Sequence, residues 1–363
     1  MFYNILQFCI RLALKLFCRS ITFSNKAILN SKGPLLLACN HPNSFLDAVI
    51  IGSQFNQPVH YLARGDAFKN PLVKKILTAI KLMPIYRLSE GREYLALNDA
   101  TFDGCKKVLL QGGIVLIFSE GLCEHKWQLQ PLKKGTARIA FSAWNDTRIT
   151  NHFKVQPVSI NYDSFTKFSK HVVIHFGKVI TKDEILLQAN EGEKIMQFNS
   201  LLSERLSNGM LLSTGNDTLI QSLITNHKSH TTSGETTIKT LKNLQIKFKD
   251  FTSIPRQNLP INFMDIGFII LLLMPALIGF ALNAPLYFLV KKIVYQKTKN
   301  TVFYDSVLFG LLLIAYPIYW LGVNSISFFF FTNYYLQIVL VAMPIFAWLC
   351  LRYKDAMQRI KLK

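Results

Sequence analysis

Apolar and polar positions along this chain change period every ten to twenty residues, and that change predicts its elements. The apolar runs at 35–39, 59–64, 82–87, 114–118, 155–161 and 172–176 have the length of buried strands, and Gly33-Pro34 opens the first of them. Between them, residues 70–80, 94–111 and 134–144 carry apolar side chains at helical spacing. Strand and helix in alternation predict an α/β domain: a mixed, mainly parallel sheet flanked by helices. In such sheets a site gathers at the strand ends.

The flanks read differently. Phe2, Ile5, Leu6, Cys9, Ile10, Ala13, Leu16 and Phe17 share a helical face, with Arg11, Lys15 and Arg19 between them. No small-residue cleavage site follows, so an amphipathic helix lying on anionic lipid is expected over residues 1–30. The α/β domain spans 31–213, closing with an amphipathic helix over 183–212. Residues 214–260 turn polar, with the stretch His227-Lys228-Ser229-His230-Thr231-Thr232-Ser233-Gly234, and read as a linker with room for a helix.

Residues 261–363 read as a membrane region. Segments 301–323 and 328–351 each suffice for a ~20-residue span. Segment 263–290 is equally apolar but is interrupted by Pro275 and by Asn283-Ala284-Pro285. Lys291, Lys292, Lys297 and Lys299 follow it, and Arg352, Lys354, Arg359, Lys361 and Lys363 follow the last span, whereas the loop between the final two has no Lys or Arg. Basic residues mark the cytoplasmic side. A broken hairpin at 263–290, with two spans after it, keeps both clusters and the α/β domain on that side.

Composition narrows the function classes. Across 363 residues the chain carries 41 Lys+Arg against 21 Asp+Glu, a net charge of +20. A basic excess fits nucleic acid or an anionic membrane. With 50% hydrophobic residues and basic residues flanking apolar spans, the membrane is the better partner and no nucleic acid is expected. The six cysteines, Cys9, Cys18, Cys39, Cys105, Cys123 and Cys350, form no C-x-x-C pair and read as reduced thiols. His171 and His175 on a strand would stand about 13 Å apart, too far for one zinc, so no metal site is expected.

The chemistry concentrates at Asn40-His41-Pro42-Asn43-Ser44-Phe45-Leu46-Asp47. His41 falls in a strand-to-helix loop and Asp47 in the helix that follows. Positions six apart do not share a helix face at ~100° per residue, so the two can meet only if His41 stands outside the helix. An imidazole held by a carboxylate on one nitrogen can take a hydroxyl proton with the other. Arg64 and Arg87 each end a strand, and Glu120-Gly121 follow the strand 114–118.

Three further blocks follow the His41 block in order: Met83-Pro84-Ile85-Tyr86-Arg87, Phe118-Ser119-Glu120-Gly121 and Val155-Gln156-Pro157-Val158. This ordered set resembles the glycerolipid acyltransferase superfamily of the PlsC type, whose blocks run NHxxxxD, an Arg-ended apolar strand, FPEG and xPV. Pro131-Leu132-Lys133-Lys134-Gly135 stands where the family carries a similar Lys-Gly stretch. The resemblance covers about residues 35–212. It departs from the pattern at several positions. Five residues separate His41 from Asp47 where the commonest form has four, a longer spacing similar to that of fungal glycerol-3-phosphate acyltransferases. Ser119 replaces the proline of FPEG, Leu122-Cys123 the usual Thr-Arg, and Lys81 a glycine.

The resemblance implies a glycerolipid acyltransferase-like fold and direct acyl transfer from acyl-CoA or acyl-ACP, a co-substrate with no further cofactor, to a phosphorylated glycerol acceptor. It implies His41 as base and Asp47 as its holder. Arg87 would clamp the acceptor phosphate, and Glu120 and Gly121 would line the acceptor's glycerol region. Lys133, Lys134 and Arg64 are further candidates for the anionic pocket. Lysophosphatidate is the first choice of acceptor and glycerol-3-phosphate the second, with a lyso-aminolipid a third. A bacterial inner membrane is the expected location, with the catalytic domain facing the cytoplasm. The reading from a different class is a catalytically silent membrane scaffold.

Overall fold

The computed structural model describes residues 2–86, 91, 93, 96–185, 190–213, 215, 217–226, 234–247, 263–330 and 332–362. Arg87 and the stretch 227–233 lie outside the described residues. The described chain forms two compact units: residues 1–11, 20–165 and 171–253 make the first, and residues 12–19, 166–170 and 254–363 the second.

The first unit is built on a mixed, mostly parallel seven-stranded sheet. Its strands are β1 (Cys18–Phe23), β2 (Leu35–Cys39), β3 (Val59–Arg64), β4 (Leu82–Ile85), β5 (Ile114–Phe118), β6 (Lys154–Tyr162) and β7 (Lys170–Phe176). They lie in the order β1-β7-β6-β2-β5-β3-β4. β2 pairs in parallel with β5 and β6, β3 with β5 and β4, and β7 runs antiparallel to β6. All five residues of β2 are buried, as a central strand covered on both faces requires. Cys39 stands opposite Phe118 on one side and Val158 on the other, so the chain segments leaving β2 and β5 emerge side by side.

The crossover helices are α2 (Ser44–Gly52), α3 (Pro71–Ala79), α4 (Leu97–Leu110) and α5 (Gly135–Trp144), preceded by α1 (Phe2–Phe17) and followed by α6 (Glu191–Gly209). In the strand order, the β2-to-β3 and β3-to-β4 connections step one way, and the β4-to-β5 and β5-to-β6 connections step back. Right-handed crossovers then place α2 and α3 on one face of the sheet and α4 and α5 on the other. The second face holds a core of Leu36, Ala38, Val115 and Ile117 packed with Leu109 of α4, Ala140 and Trp144 of α5, and Phe198, Leu202 and Leu206 of α6.

One sequence expectation for this unit is corrected. Residues 18–23, read as the end of the N-terminal helix, form β1, where Ile21, Thr22 and Phe23 favour a strand and Ser24 N–H donates to Ile174 O at 2.9 Å. Residues 214–260, read as a linker with room for a helix, carry two helices, α7 (Asp217–Asn226) and α8 (Gly234–Lys247), and both belong to the first unit. Their Leu219, Ile220, Leu223, Ile224, Ile238 and Leu241 are buried, and Lys242 Nζ donates to Ser207 O at 2.7 Å. The polar residues between had masked this narrow apolar stripe.

The second unit is mainly helical. Helix α9 (Phe263–Thr298) is continuous, so the expected broken hairpin at 263–290 is replaced by one helix with Pro275 and Pro285 inside it. A proline inside a helix removes one internal hydrogen bond, and where no water competes for the backbone the rest of the ladder holds the helix together. Around Pro285, Asn283 Nδ2 donates to Gly279 O at 2.8 Å and Tyr319 Oη to Leu282 O at 2.9 Å. α10 (Tyr304–Phe330) follows, then α11 (Tyr334–Val341) and α12 (Met343–Leu362). Among the described residues, two helices, Ile266–Thr298 and Tyr304–Phe330, are long and apolar enough to cross a membrane. The break falls later than expected, with Tyr334–Val341 and Met343–Lys354 bent by 61°. Gly279 lets α9 and α12 meet closely, since a Cβ there would come 2.1 Å from Phe346 O. Lys170 and Asp305 form a fully buried ion pair, with Lys170 Nζ 5.7 Å from the centre of the Phe17 ring.

Candidate active site

β2 ends at Cys39, and Asn40 then acts as a strut: its Nδ2 donates to Ile160 O at 3.1 Å and its Oδ1 accepts from Ile160 N–H at 2.8 Å. The side chain thereby continues the β2–β6 ladder one step beyond the strand and leaves His41 free of it. The turn completes with Ser44 in the left-handed region at φ 51°, and α2 starts there. His41 therefore stands outside the helix and Asp47 in its first turn, which lets residues separated by five others meet.

His41 Nδ1 lies 2.9 Å from Asp47 Oδ2, and that oxygen also accepts the Asn43 N–H at 2.8 Å. Tyr162 Oη donates to Asp47 Oδ1 at 2.6 Å. Asp47 is fully buried, while His41 keeps 16% of its side chain exposed. An acceptor-only carboxylate holding two other donors directs the Nδ1 proton of a neutral imidazole toward itself, leaving Nε2 as the free base. The ring stacks on Phe118, centroids 3.7 Å apart and 12° from parallel. Burial near Asp47 also pushes the Cys39 thiol well above its ordinary pKa, so Cys39 is an inert core group.

Glu120 sits directly below this pair. Its Oε2 accepts the His41 N–H at 3.0 Å and its Oε1 the Gln130 N–H at 3.1 Å. Only 3% of the residue is exposed. Burial pushes its pKa up to about 7, with the backbone donors opposing and Asp47 and Glu124 adding to the rise. Both oxygens are thus occupied by backbone, and Glu120 ties the His41 loop to the segment after β5. Gly121 follows at φ 66°, and a Cβ there would meet Lys133 Cγ at 2.9 Å.

The remaining candidates are placed as follows. Lys133 and Lys134 are exposed, with the Lys133 N–H donating to Ser119 O at 2.8 Å. Arg64 pairs with Asp66 at the end of β3. Ser119, standing where the family pattern has proline, is bonded to Thr136 at 3.0 Å between the hydroxyls. Cys123 accepts the Ser44 N–H through Sγ at 2.8 Å. His171 and His175 lie on β7, a strand, as expected. Two broad concave surfaces, one at Asp99, Arg138 and Lys194 and one at Gln130, Asn199 and Leu212, do not include His41.

Sequence reasoning missed Asn40 as a strut and Tyr162 as the second holder of Asp47. No local signal marks either, because their partners lie 120 and 115 positions away.

Residues 20–161 match the family model described as Acyltransferase. Over this segment the chain is similar to the acyltransferase family. The match contains the His41 block, the β5 block and the β6 block, and Tyr162 lies one residue beyond it. No match was found among curated proteins. Among solved structures, the crystal structure of the 1-acyl-sn-glycerophosphate (LPA) acyltransferase PlsC from Thermotoga maritima is similar at 15% identity and a TM-score of 0.40, over 56% of this chain and 78% of that one.

Proposed function

We propose that this chain is a membrane-bound O-acyltransferase that moves a fatty acyl group from acyl-CoA or acyl-ACP to a glycerolipid precursor. Lysophosphatidate is the first choice of acceptor and glycerol-3-phosphate the second. The observation that carries the reading is the His41–Asp47 pair inside a segment similar to the acyltransferase family, with Asp47 held by Asn43 and Tyr162.

In this reading His41 Nε2 takes the proton of the acceptor hydroxyl as its oxygen attacks the thioester carbonyl carbon. The imidazolium that forms is stabilised by Asp47. When the C–S bond breaks, the departing thiolate takes the proton back from Nε2, so no acyl-enzyme forms. Glu120 keeps the His41 backbone in place, and Arg87 with Lys133 and Lys134 supplies positive charge for the acceptor phosphate. The catalytic unit faces the cytoplasm of a bacterial inner membrane, where both thioester donors are soluble; with α9 as a single crossing this sets the Lys291–Lys299 cluster on the opposite side, against the positive-inside expectation, and a cysteine at exposed Asn56 that labels on intact cells would reverse that orientation.

The test offers purified enzyme lysophosphatidate and glycerol-3-phosphate in parallel, each with acyl-CoA and acyl-ACP, and reads products by mass spectrometry. A diacylated product from the first acceptor is expected. A product from glycerol-3-phosphate alone would move the assignment to the second acceptor. Product from neither acceptor with either donor would leave a lyso-aminolipid enzyme or the silent scaffold.

A further inference from the structure

Helix α3 has no buried residue along its nine positions. Its sequence, PLVKKILTA, is nonetheless strongly amphipathic. Leu72 is 74% exposed and Ile76 is 60% exposed, with Val73 beside them on the same outward arc. Lys74 and Lys75 flank that arc, Lys69 precedes it, and the helix contains no acidic residue. An ordinary crossover helix turns its apolar stripe toward the sheet. α3 instead stands exposed at every position but Leu77, so Leu72, Val73 and Ile76 lie open, where singly scattered apolar residues would be unremarkable but a contiguous group is not.

Its place in the fold identifies the partner. α3 lies on the same sheet face as α2, and α1 docks on the turn that ends α2 through Arg11 Nε to Ser53 O at 2.6 Å and Gln7 Nε2 to Phe55 O at 2.8 Å. Ile5 and Phe8 of α1 are exposed as well. One face of the catalytic unit thus presents two helices with outward apolar residues bordered by Lys and Arg, and the same chain carries helices able to cross a membrane. A protein partner would meet the apolar arc equally well, but a ring of lysines without acids matches an anionic surface.

We propose that α3 is a lipid-docking helix. Leu72, Val73 and Ile76 enter the boundary between headgroups and acyl chains of an anionic bilayer, and Lys69, Lys74 and Lys75 meet its phosphates. The N-terminal end of α3 follows the carboxyl end of β3, the sheet edge at which His41 stands after β2. If the acyl-transfer reading also holds, docking seats the reacting edge of the sheet at the membrane surface where a lipid acceptor is dissolved. The docking itself does not depend on that reading.

The test uses the full chain in vesicles of phosphatidylglycerol and phosphatidylcholine, with Cys9, Cys123 and Cys350 replaced by alanine. An environment-sensitive fluorophore is attached in turn to L72C, I76C and, on the opposite side of the helix, T78C. The probes at 72 and 76 are expected to shift to the blue and to lose intensity to spin-labelled lipid, while the probe at 78 is quenched by iodide supplied on both sides. K74E/K75E should reduce the blue shift at 76, as should vesicles of phosphatidylcholine alone. Iodide quenching at 72 and 76 equal to that at 78 would overturn the proposal by showing the arc in water. Resistance of 72 and 76 to both quenchers would overturn it in favour of a second copy covering the helix. Neither result depends on transferase activity.

Discussion

Asp47→Asn isolates one term of the proposed chemistry, the carboxylate charge. The oxygen facing His41 also receives the Asn43 N–H, so two donors converge on that position. An asparagine must therefore place its amide oxygen there and its NH2 toward Tyr162, whose hydroxyl can rotate to accept. The neutral tautomer of His41 survives the change, and what disappears is the negative charge beside the developing imidazolium. Unit charges at about 4 Å and an effective dielectric of about 20 attract by about 4 kcal/mol, roughly 10³-fold in rate. That dielectric suits a pair with one partner buried and the other 16% exposed. The assay is turnover at saturating donor and acceptor, with circular dichroism and thermal melts confirming the native fold. A folded Asp47→Asn enzyme within tenfold of wild type would refute the reasoning, because the carboxylate would then not stabilise the charged base.

His41→Ala should lower turnover by about 10²–10⁴-fold with the fold intact, the range for losing a general base; turnover within tenfold would remove His41 from the mechanism. Tyr162→Phe removes a hydrogen bond to a buried carboxylate, about 1.5–3 kcal/mol, so a loss of roughly 10- to 100-fold in kcat is expected with the acceptor KM little changed. Glu120 binds its proton more tightly folded than unfolded, with a pKa of about 7 against 4.5, so its contribution to stability is full below about pH 4.5 and declines by about 3 kcal/mol as pH rises toward 7 and above. Urea titrations across that range should show the decline in wild type and a flatter profile in Glu120→Gln; parallel profiles would place the Glu120 pKa near the ordinary value. Arg87→Ala should raise the acceptor KM more than the donor KM, and the opposite pattern in paired kinetics would assign Arg87 to the donor's phosphates.

Much of the fold was legible because buried parallel strands write themselves as short apolar runs between turn residues. β2, β3 and β5 occupy the runs read from sequence, and α3 starts where Asn70-Pro71 signals it, Asn70 Oδ1 accepting the Leu72 N–H at 2.9 Å. The pairing of His41 with Asp47 could be posed from sequence, since six positions on a helix point to different faces. Only the fold shows how it is met: the Asn40 strut, the left-handed Ser44 and the start of α2 set the two side chains 2.9 Å apart.

What the tertiary structure alone decided depends on contacts with no local period. Tyr162 reaches Asp47 from the end of β6, and Glu120 reaches the His41 backbone from the end of β5, because parallel register brings those strand ends together. α7 and α8 look like a linker in a polar stretch, yet a few apolar residues suffice once a surface is there to receive them. α9 shows the opposite failure. Pro275 and Pro285 are local breakers, but a helix in apolar surroundings has no water to take its unpaired groups and holds its course through both. Amphipathicity marks α3 in the sequence, but burial alone reveals that its apolar arc faces outward. A sequence records which residues are apolar; which side of a helix meets the sheet is set by everything packed around it.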